Sequence, residues 1–325
     1  MISRAAVQAV LALGLLAVSL AAEAQQDRVY RVGVILQGGP YVDTVNGLRD
    51  GLRELGLEEG KQLVLDIRDT KSNLKAVEAA ARSLEAQKVD VIYAVGTSTT
   101  LAVKRATTRV PIVFYAGTDP VGVGLVQSFR EPGGRLTGIH GQMTDLTAKR
   151  VEILKEMIPK LRRVVTFYNP DNPVAQLSLK FAREATRRLK MELVEHKVTS
   201  VEELRAGLDA LRPGEADAFV LVSDGMVISQ TDLVVEVTNA KRLPAILSYS
   251  AAVTKGALAS YGESNYTLGR FSAKHVQRVL LGADPGTLPV EQLNRPQFVL
   301  SLKAAKALGL TIPPSVLLRA DQVIE

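Results

Sequence analysis

The sequence predicts an α/β protein of two doubly wound, Rossmann-like lobes, each a parallel sheet covered by helices, with a cleft between them. Three observations lead there. Short β-branched runs alternate with longer amphipathic stretches, the alternation restarts once midway, and the residues that follow the strands are small, polar or aromatic. Strands separated by helices need crossover connections, and these are right-handed and build parallel sheets with helices on both faces.

Residues 30–36 (YRVGVIL) read as a buried strand, because a short apolar run suits a strand covered on both faces. Residues 41–55 read as a helix ending at Gly56, a suitable C-terminal cap. Residues 63–68 (LVLDIR) are the next strand, followed by a helix over 72–87 with serine or asparagine at its start. Residues 89–95 are a strand, 99–107 a helix and 111–115 a strand.

After a divide near 136–149 the rhythm begins again. Residues 163–168 (RVVTFY), 192–198, 218–222 and 245–248 read as strands, with helices over 173–189, 201–211 and 231–241 between them. The tail differs: a helix over 266–281 closed by Gly282, a turn at Asp284-Pro285-Gly286, a strand over 298–302 and a short helix over 303–308. Such a tail can return to the first lobe, so the chain is expected to cross between lobes more than once. The expected boundaries are a first lobe over 25–138 with a return segment at about 264–292, and a second over 139–263 with a tail at about 293–325.

The first 24 residues have the three-part plan of a secretory signal peptide: Arg4, an apolar run over 7–20, then Ala22-Glu23-Ala24 with small residues where a signal peptidase reads. The apolar run is shorter than the roughly 20 residues a membrane-spanning helix needs. Cleavage after Ala24 is expected, leaving a chain that starts at Gln25. There is no cysteine, which excludes disulfides, thiolate metal sites and thiol nucleophiles, and offers no thiol for a lipid anchor. A protein free in the periplasm is the expectation.

The formal net charge is +6, but basic and acidic residues are interleaved along the helical stretches. The densest basic cluster, 155–163, contains Glu156 and reads as a solvated helix end. With aromatics at only 5% and none interleaved in a basic run, no nucleic-acid partner is expected.

Ligands of open parallel sheets bind beyond the carboxyl ends of the strands. In the first series those positions hold Gln37, Gly38 and Tyr41, then Gly96-Thr97-Ser98, then Gly117-Thr118-Asp119; in the second they hold Tyr168-Asn169, Ser223-Asp224 and Ser248-Tyr249. Gly96-Thr97-Ser98 precedes a helix, where free N–H groups and hydroxyls suit a carboxylate, or serve simply as an N-cap. Asp119 and Asp224 could hold an ammonium group, or start turns. Tyr41, Tyr168, Tyr249 and Tyr266 could wall a pocket, or pack. The convergence of six places on a small polar solute is the signal.

Catalytic patterns are missing from the sequence. His140, His196 and His275 lack metal-ligand spacing and read as surface or packing residues. Gly122-Val123-Gly124 lacks the third glycine of a dinucleotide fingerprint, and there is no nucleophile elbow or Walker loop. Glu58-Glu59 and Glu202-Glu203 read as solvated pairs. No enzyme, cofactor or metal is expected.

Several segments carry a family likeness: Val32-Gly33-Val34-Ile35-Leu36-Gln37, Gly96-Thr97-Ser98, and Pro111-Ile112-Val113-Phe114 leading to Thr118-Asp119-Pro120-Val121. So do Pro132-Gly133-Gly134 with Thr137-Gly138, the run from Lys255 to Gly262, Tyr266 with Gly269, and the tail from Ala305 through Leu308-Gly309-Leu310 to Ile312-Pro313. In these the chain resembles the ABC-transporter substrate-binding proteins that include the tryptophan/tyrosine-binding lipoproteins. The resemblance implies a class I periplasmic-binding-protein fold that closes on a small solute, an aromatic amino acid in family members, and hands it to a membrane permease with its ATPase. By position it implies contacts from Gln37, Gly96, Thr97, Ser98, Asp119, Ser223 and Asp224. Two departures lie at the cleft: Val222-Ser223-Asp224-Gly225 stands where relatives often carry a Pro-x-Asp-like element, and 37–41 is richer in glycine. A monomer is expected. The alternative reading is a periplasmic sensor presenting the same cleft to a membrane receptor.

Overall fold

The computed structural model describes residues 28–325, so the leader read at 1–24 lies outside the described residues. β1 (Tyr30–Leu36) is buried at every position but Arg31 and pairs in parallel with β2 (Leu63–Asp69) on one side and β3 (Val91–Val95) on the other. β4 (Ile112–Ala116) and β5 (Leu136–His140) continue the sheet, and β11 (Glu291–Gln292) returns from far along the chain to close its edge. The order is β11-β5-β4-β3-β1-β2, all parallel. The central strands read as unbroken apolar runs because helices cover both faces.

The second sheet has the order β13-β12-β10-β9-β8-β6-β7. Its parallel part comprises β6 (Arg163–Tyr168), β7 (Glu192–Lys197), β8 (Ala218–Val220), β9 (Ala245–Leu247) and β10 (Ala259–Gly262). β12 (Gln297–Ser301) joins β10 antiparallel, and β13 (Gln322–Ile324) pairs in parallel with β12. The chain therefore crosses between lobes three times, after β5, after β10 and after β11. This is the class I periplasmic-binding-protein architecture.

The helices show why the sequence folds this way locally. In the first lobe α1 (Val42–Glu54), α2 (Leu74–Ala86) and α3 (Thr97–Ala106) connect successive strands. Asn73 caps α2 by accepting from the Ala76 N–H at 3.1 Å. In the second lobe the connections are α4 (Leu146–Met157), α5 (Pro173–Arg188), α6 (Val201–Ala210), the short α7 (Gly225–Ser229), α8 (Thr231–Ala240) and α9 (Ala251–Thr254). α10 (Asn265–Leu280) follows β10 but packs back on α1. That contact is closer than side chains would permit: a Cβ on Gly47 would meet the Tyr266 carbonyl, and one on Gly269 the Thr44 carbonyl.

β5 lies in the stretch read as a divide, and α4 begins there and runs on past it. β5 is wholly buried, but its sequence, LTGIH, is broken by Gly138. A Cβ there would lie 2.7 Å from the Phe114 amide nitrogen, so the close strand contact needs glycine. α4 was hidden by Arg150, a charged residue on the helix's buried face.

Candidate functional site

The two sheets point their carboxyl ends at one another, and the loops there meet around a narrow cavity of about 30 Å³. The first lobe contributes Gln37, Tyr41, Gly96, Thr97, Ser98, Tyr115 and Gly117; the second contributes Val174, Ser223, Gly225, Ile228 and Tyr249; Met143 lies on the first crossover. Such a volume is far below the range for small-molecule sites, so a solute is seated only where these walls part.

The wall from the first lobe is built on glycine. Gly96 adopts a left-handed φ of 95° and is the N-cap of α3, with no side chain capping that helix. The first turn of α3 therefore presents helix N–H groups at the cavity wall, where a negative group is favoured. Thr97 Oγ1 accepts from the Gly117 N–H at 2.9 Å and ties the β3 and β4 ends together. Gln37 is buried, and its Nε2 donates to Thr99 Oγ1 at 3.0 Å.

Three tyrosines form the aromatic part of the wall. Tyr41 from the first lobe meets Tyr249 from the second edge-to-face at 6.1 Å between ring centroids. Tyr115, the fourth residue of β4, is buried beside them with its hydroxyl unpaired. Burial, with the neighbouring phenols, pushes Tyr41 and Tyr115 well above the ordinary tyrosine range, and burial pushes Tyr249 up to about 12. All three rings stay neutral near pH 7, so the wall is apolar with hydroxyl tips.

Contacts cross the cleft in this structure. Ser98 Oγ donates to Asn172 Oδ1 at 3.1 Å. Ser72, held with a left-handed φ of 70°, meets the Ser229 hydroxyl and accepts from Gln230 Nε2 at 3.3 Å. Gly39, φ 57°, lies so close to the Ser229 backbone that a Cβ would collide with it. The lobes are closed on the cavity.

Other residues singled out from the sequence are placed elsewhere. Asp224 is completely buried and serves as the N-cap of α7. Its Oδ1 accepts from the N–H groups of Met226 and Val227, and its Oδ2 from the Asn169 N–H and Asn172 Nδ2, at 2.9–3.1 Å. Burial pushes its carboxyl upward and these four donors pull against that shift. It therefore holds its own lobe, with all four bonds spent there, and no lone pair is presented to an ammonium group. Asn169 lines the outer mouth of the cleft together with Asp224 and Asn172. Ser223 lines the cavity, but its hydroxyl donates to the Met143 carbonyl at 3.0 Å.

Asp119 is exposed and caps its own turn, accepting from the Val121 N–H at 2.9 Å. Thr118 is buried and accepts from the Thr144 hydroxyl at 3.2 Å. Gly38, with φ 80°, stands over Asp69, and Ser248 is buried with its hydroxyl unpaired; neither lines the cavity. Tyr168 packs inside the second lobe and reaches Glu195 Oε2 at 3.2 Å. Tyr266 is exposed on α10, its hydroxyl donating to Asp50 at 2.8 Å. Among the histidines, His196 stacks on Phe167, His140 stacks on Phe129, and His275 meets the Pro289 carbonyl.

Sequence reasoning missed Tyr115, Met143, Val174 and Ile228 on the wall; Gly225 lies in the loop it placed at the cleft. Tyr115 lies within a strand, where only residues beyond the strand end were considered. The others lie on crossovers and helix starts that carry no distinctive residue type. It also missed Arg150, a fully buried guanidinium behind the site. Arg150 donates to the carbonyls of Tyr261, Leu221 and Met143 and to Thr147 Oγ1, at 2.9–3.2 Å, and desolvation lowers its pKa to about 10. It locks α4, β10 and the first crossover into one unit.

Two lobes closed on an enclosed cavity, with interlobe hydrogen bonds at its rim, define a two-lobed solute-binding protein. Residues 31–324 match the family described as ABC transporter substrate binding protein, and the chain belongs to that family. It is a family of solute binders, not enzymes. A curated tyrosine-binding protein of Clostridioides difficile is 26% identical over 264 residues, covering 81% of this chain and 76% of the relative. Among solved structures, a conserved domain protein from Vibrio cholerae is 30% identical with a TM-score of 0.83, covering 91% of this chain and 99% of that one. An ABC domain from Streptococcus pneumoniae in complex with L-tryptophan is 25% identical with a TM-score of 0.82, covering 91% and 100%.

Proposed function

We propose that this protein captures an aromatic amino acid by closing its lobes, and delivers it from the periplasm to an ABC permease and its ATPase. The observation that carries the reading is the cavity itself, walled by Tyr41, Tyr115, Tyr249, Met143, Val174 and Ile228, with the uncapped start of α3 on one side. An apolar, aromatic wall suits an aromatic side chain. The α3 terminus suits its carboxylate. The tyrosine-binding relative and the L-tryptophan complex support the same solute class. Export rests on the leader-like pattern at 1–24.

Closure follows from where the half-sites lie. Neither lobe alone surrounds a solute; Tyr41 and Ser98 come from one lobe, and Tyr249 and Asn172 from the other. A solute therefore stabilises the closed state, and the population shifts toward it. Calorimetry with L-tryptophan, L-tyrosine and L-phenylalanine, beside L-glutamate and L-lysine, tests this. Dissociation constants in the micromolar range or below for an aromatic member alone are expected. If no aromatic amino acid binds better than about 1 mM, the reading is wrong.

A further inference from the structure

We propose that Glu263 is a proton-binding group in the hinge, so that closing the lobes on a solute takes up a proton from the medium. The proposal rests on capture by closure as set out above, and adds a second ligand, the proton, in the hinge behind the cavity wall.

Glu263 directly follows β10, on the second crossover. It is 2% exposed, and neither carboxylate oxygen has a hydrogen-bond partner. All three crossovers meet at this side chain. Gly141, on the first, lies so close that its position has no room for a Cβ against the carboxyl group. Met143, two residues on, receives the Glu263 N–H at its sulfur at 3.5 Å. The Arg295 backbone N–H approaches from the third.

An ionised carboxylate without a partner is too costly to bury, so such a group takes up a proton instead. No cation offsets that cost. From β4 the facing group is Tyr115, and from the loop after β9 it is Tyr249; both phenols are neutral, and both are pushed upward partly by Glu263 itself. Arg150 lies beyond them with its guanidinium given to four acceptors. His140, next to Gly141, stacks on Phe129 and is held below its ordinary range by burial. Desolvation accordingly raises Glu263 to about 8, against only the weak pull of the Arg295 N–H.

A hinge rotation acts on the crossovers, which are the wall of this small compartment. Parting them admits water, and a solvated glutamate ionises near its ordinary value of about 4.3. Between those two values the open form is ionised and the closed form is not. Closure then binds up to one proton, and solute affinity falls as pH rises through that window.

The test uses the full chain and Glu263→Gln, with L-tryptophan as probe, by calorimetry at pH 6 and pH 8 in two buffers of different ionisation enthalpy. The expected result is a dissociation constant that rises about fiftyfold from pH 6 to pH 8, with proton uptake on binding. In Glu263→Gln both effects vanish. A pH-independent affinity without proton uptake in the unaltered chain overturns the proposal, and so does the same slope in Glu263→Gln. Proton uptake is read on the unaltered chain, so the result does not depend on the variant folding.

If L-tryptophan fails to bind at either pH, the proposed solute is wrong, and the proton is then followed without solute. The chain has no cysteine of its own, so dyes on Lys75→Cys and Lys197→Cys report the lobe separation cleanly. A separated population that grows between pH 6 and pH 8, and does not grow in Glu263→Gln, supports the proposal. A distribution indifferent to pH overturns it.

Discussion

Ser98 Oγ and Asn172 Oδ1 lie 3.1 Å apart, one at the start of α3 in the first lobe, the other at the N-cap of α5 in the second. Asn172 Oδ1 also accepts from the Val174 N–H at 3.1 Å, and Asn172 Nδ2 donates to Asp224. A single amide thus caps a helix, satisfies a buried carboxylate and receives the cross-cleft bond. Closure is read by a group already fixed by its own lobe.

Ser98→Ala removes only the bond across the cleft. A neutral hydrogen bond contributes about 0.5–1.5 kcal/mol, so solute affinity is expected to fall roughly two- to tenfold. The melting temperature of the solute-free protein is expected to stay within about 1 °C, because Ser98 supports neither sheet. Calorimetry beside thermal unfolding separates the two.

Gly39→Ala places a methyl group against the Ser229 backbone of the opposite lobe. Backbone cannot rotate away as a side chain can, so the methyl acts as a wedge against closure. A loss of more than tenfold in solute affinity is expected. The left-handed φ adds a cost of about 1–2 kcal/mol to folding. Small-angle scattering with saturating solute is expected to show an open form in the variant and a closed one in the parent.

Asp224→Ala leaves the N–H groups of Asn169, Met226 and Val227 and the Asn172 amide without their acceptor. The expected cost is about 2–4 kcal/mol of stability in the second lobe. Denaturant unfolding without solute measures it. A solute-contacting aspartate would instead lose affinity with little change in unfolding.

How much of this was legible in the sequence depended on the kind of residue. The lobes were legible because buried parallel strands are continuous apolar runs, and those runs are local. Gly96-Thr97-Ser98 and Tyr249 were legible because cleft ligands meet the ends of strands. Asp224 is near the cleft, but two of its four hydrogen bonds come from Asn169 and Asn172, more than fifty residues away. Tyr168 packs inside the second lobe and Tyr266 is exposed on α10, since the direction of a tyrosine is set by its neighbours. Arg150 and Glu263 were illegible: burial of a charged side chain is decided by three or more distant segments closing over it.

Glu263→Gln is expected to change the pH dependence of stability of the closed protein, held by saturating L-tryptophan. The folded-state pKa, about 8, stands above the value of about 4.3 in an unfolded chain. The favourable contribution is therefore complete below about pH 4.3 and is lost as pH rises toward 8. Full expression of that difference is worth on the order of 3–5 kcal/mol. The variant is expected to melt well above the parent at pH 8 and close to it at pH 4.5, by scanning calorimetry.

Gly269→Ala forces a methyl group against the Thr44 carbonyl where α10 crosses α1. Separating the helices to make room is expected to destabilise the first lobe by about 1–3 kcal/mol. Urea unfolding followed by circular dichroism measures the shift in midpoint.

That helix pair has a consequence for the order in which the protein can be made. α10 and β11 complete the first lobe, yet they are synthesised after the whole parallel part of the second sheet. β12 and β13, later still, finish the second lobe. The first half cannot reach its final shape before α10 and β11 emerge, nor the second before β12 and β13. The contacts that seal the first half join residues more than two hundred positions apart, such as Tyr266 with Asp50. Loop closure over such separations makes folding slow. A chain that acquires its native form late remains threadable until it is nearly finished.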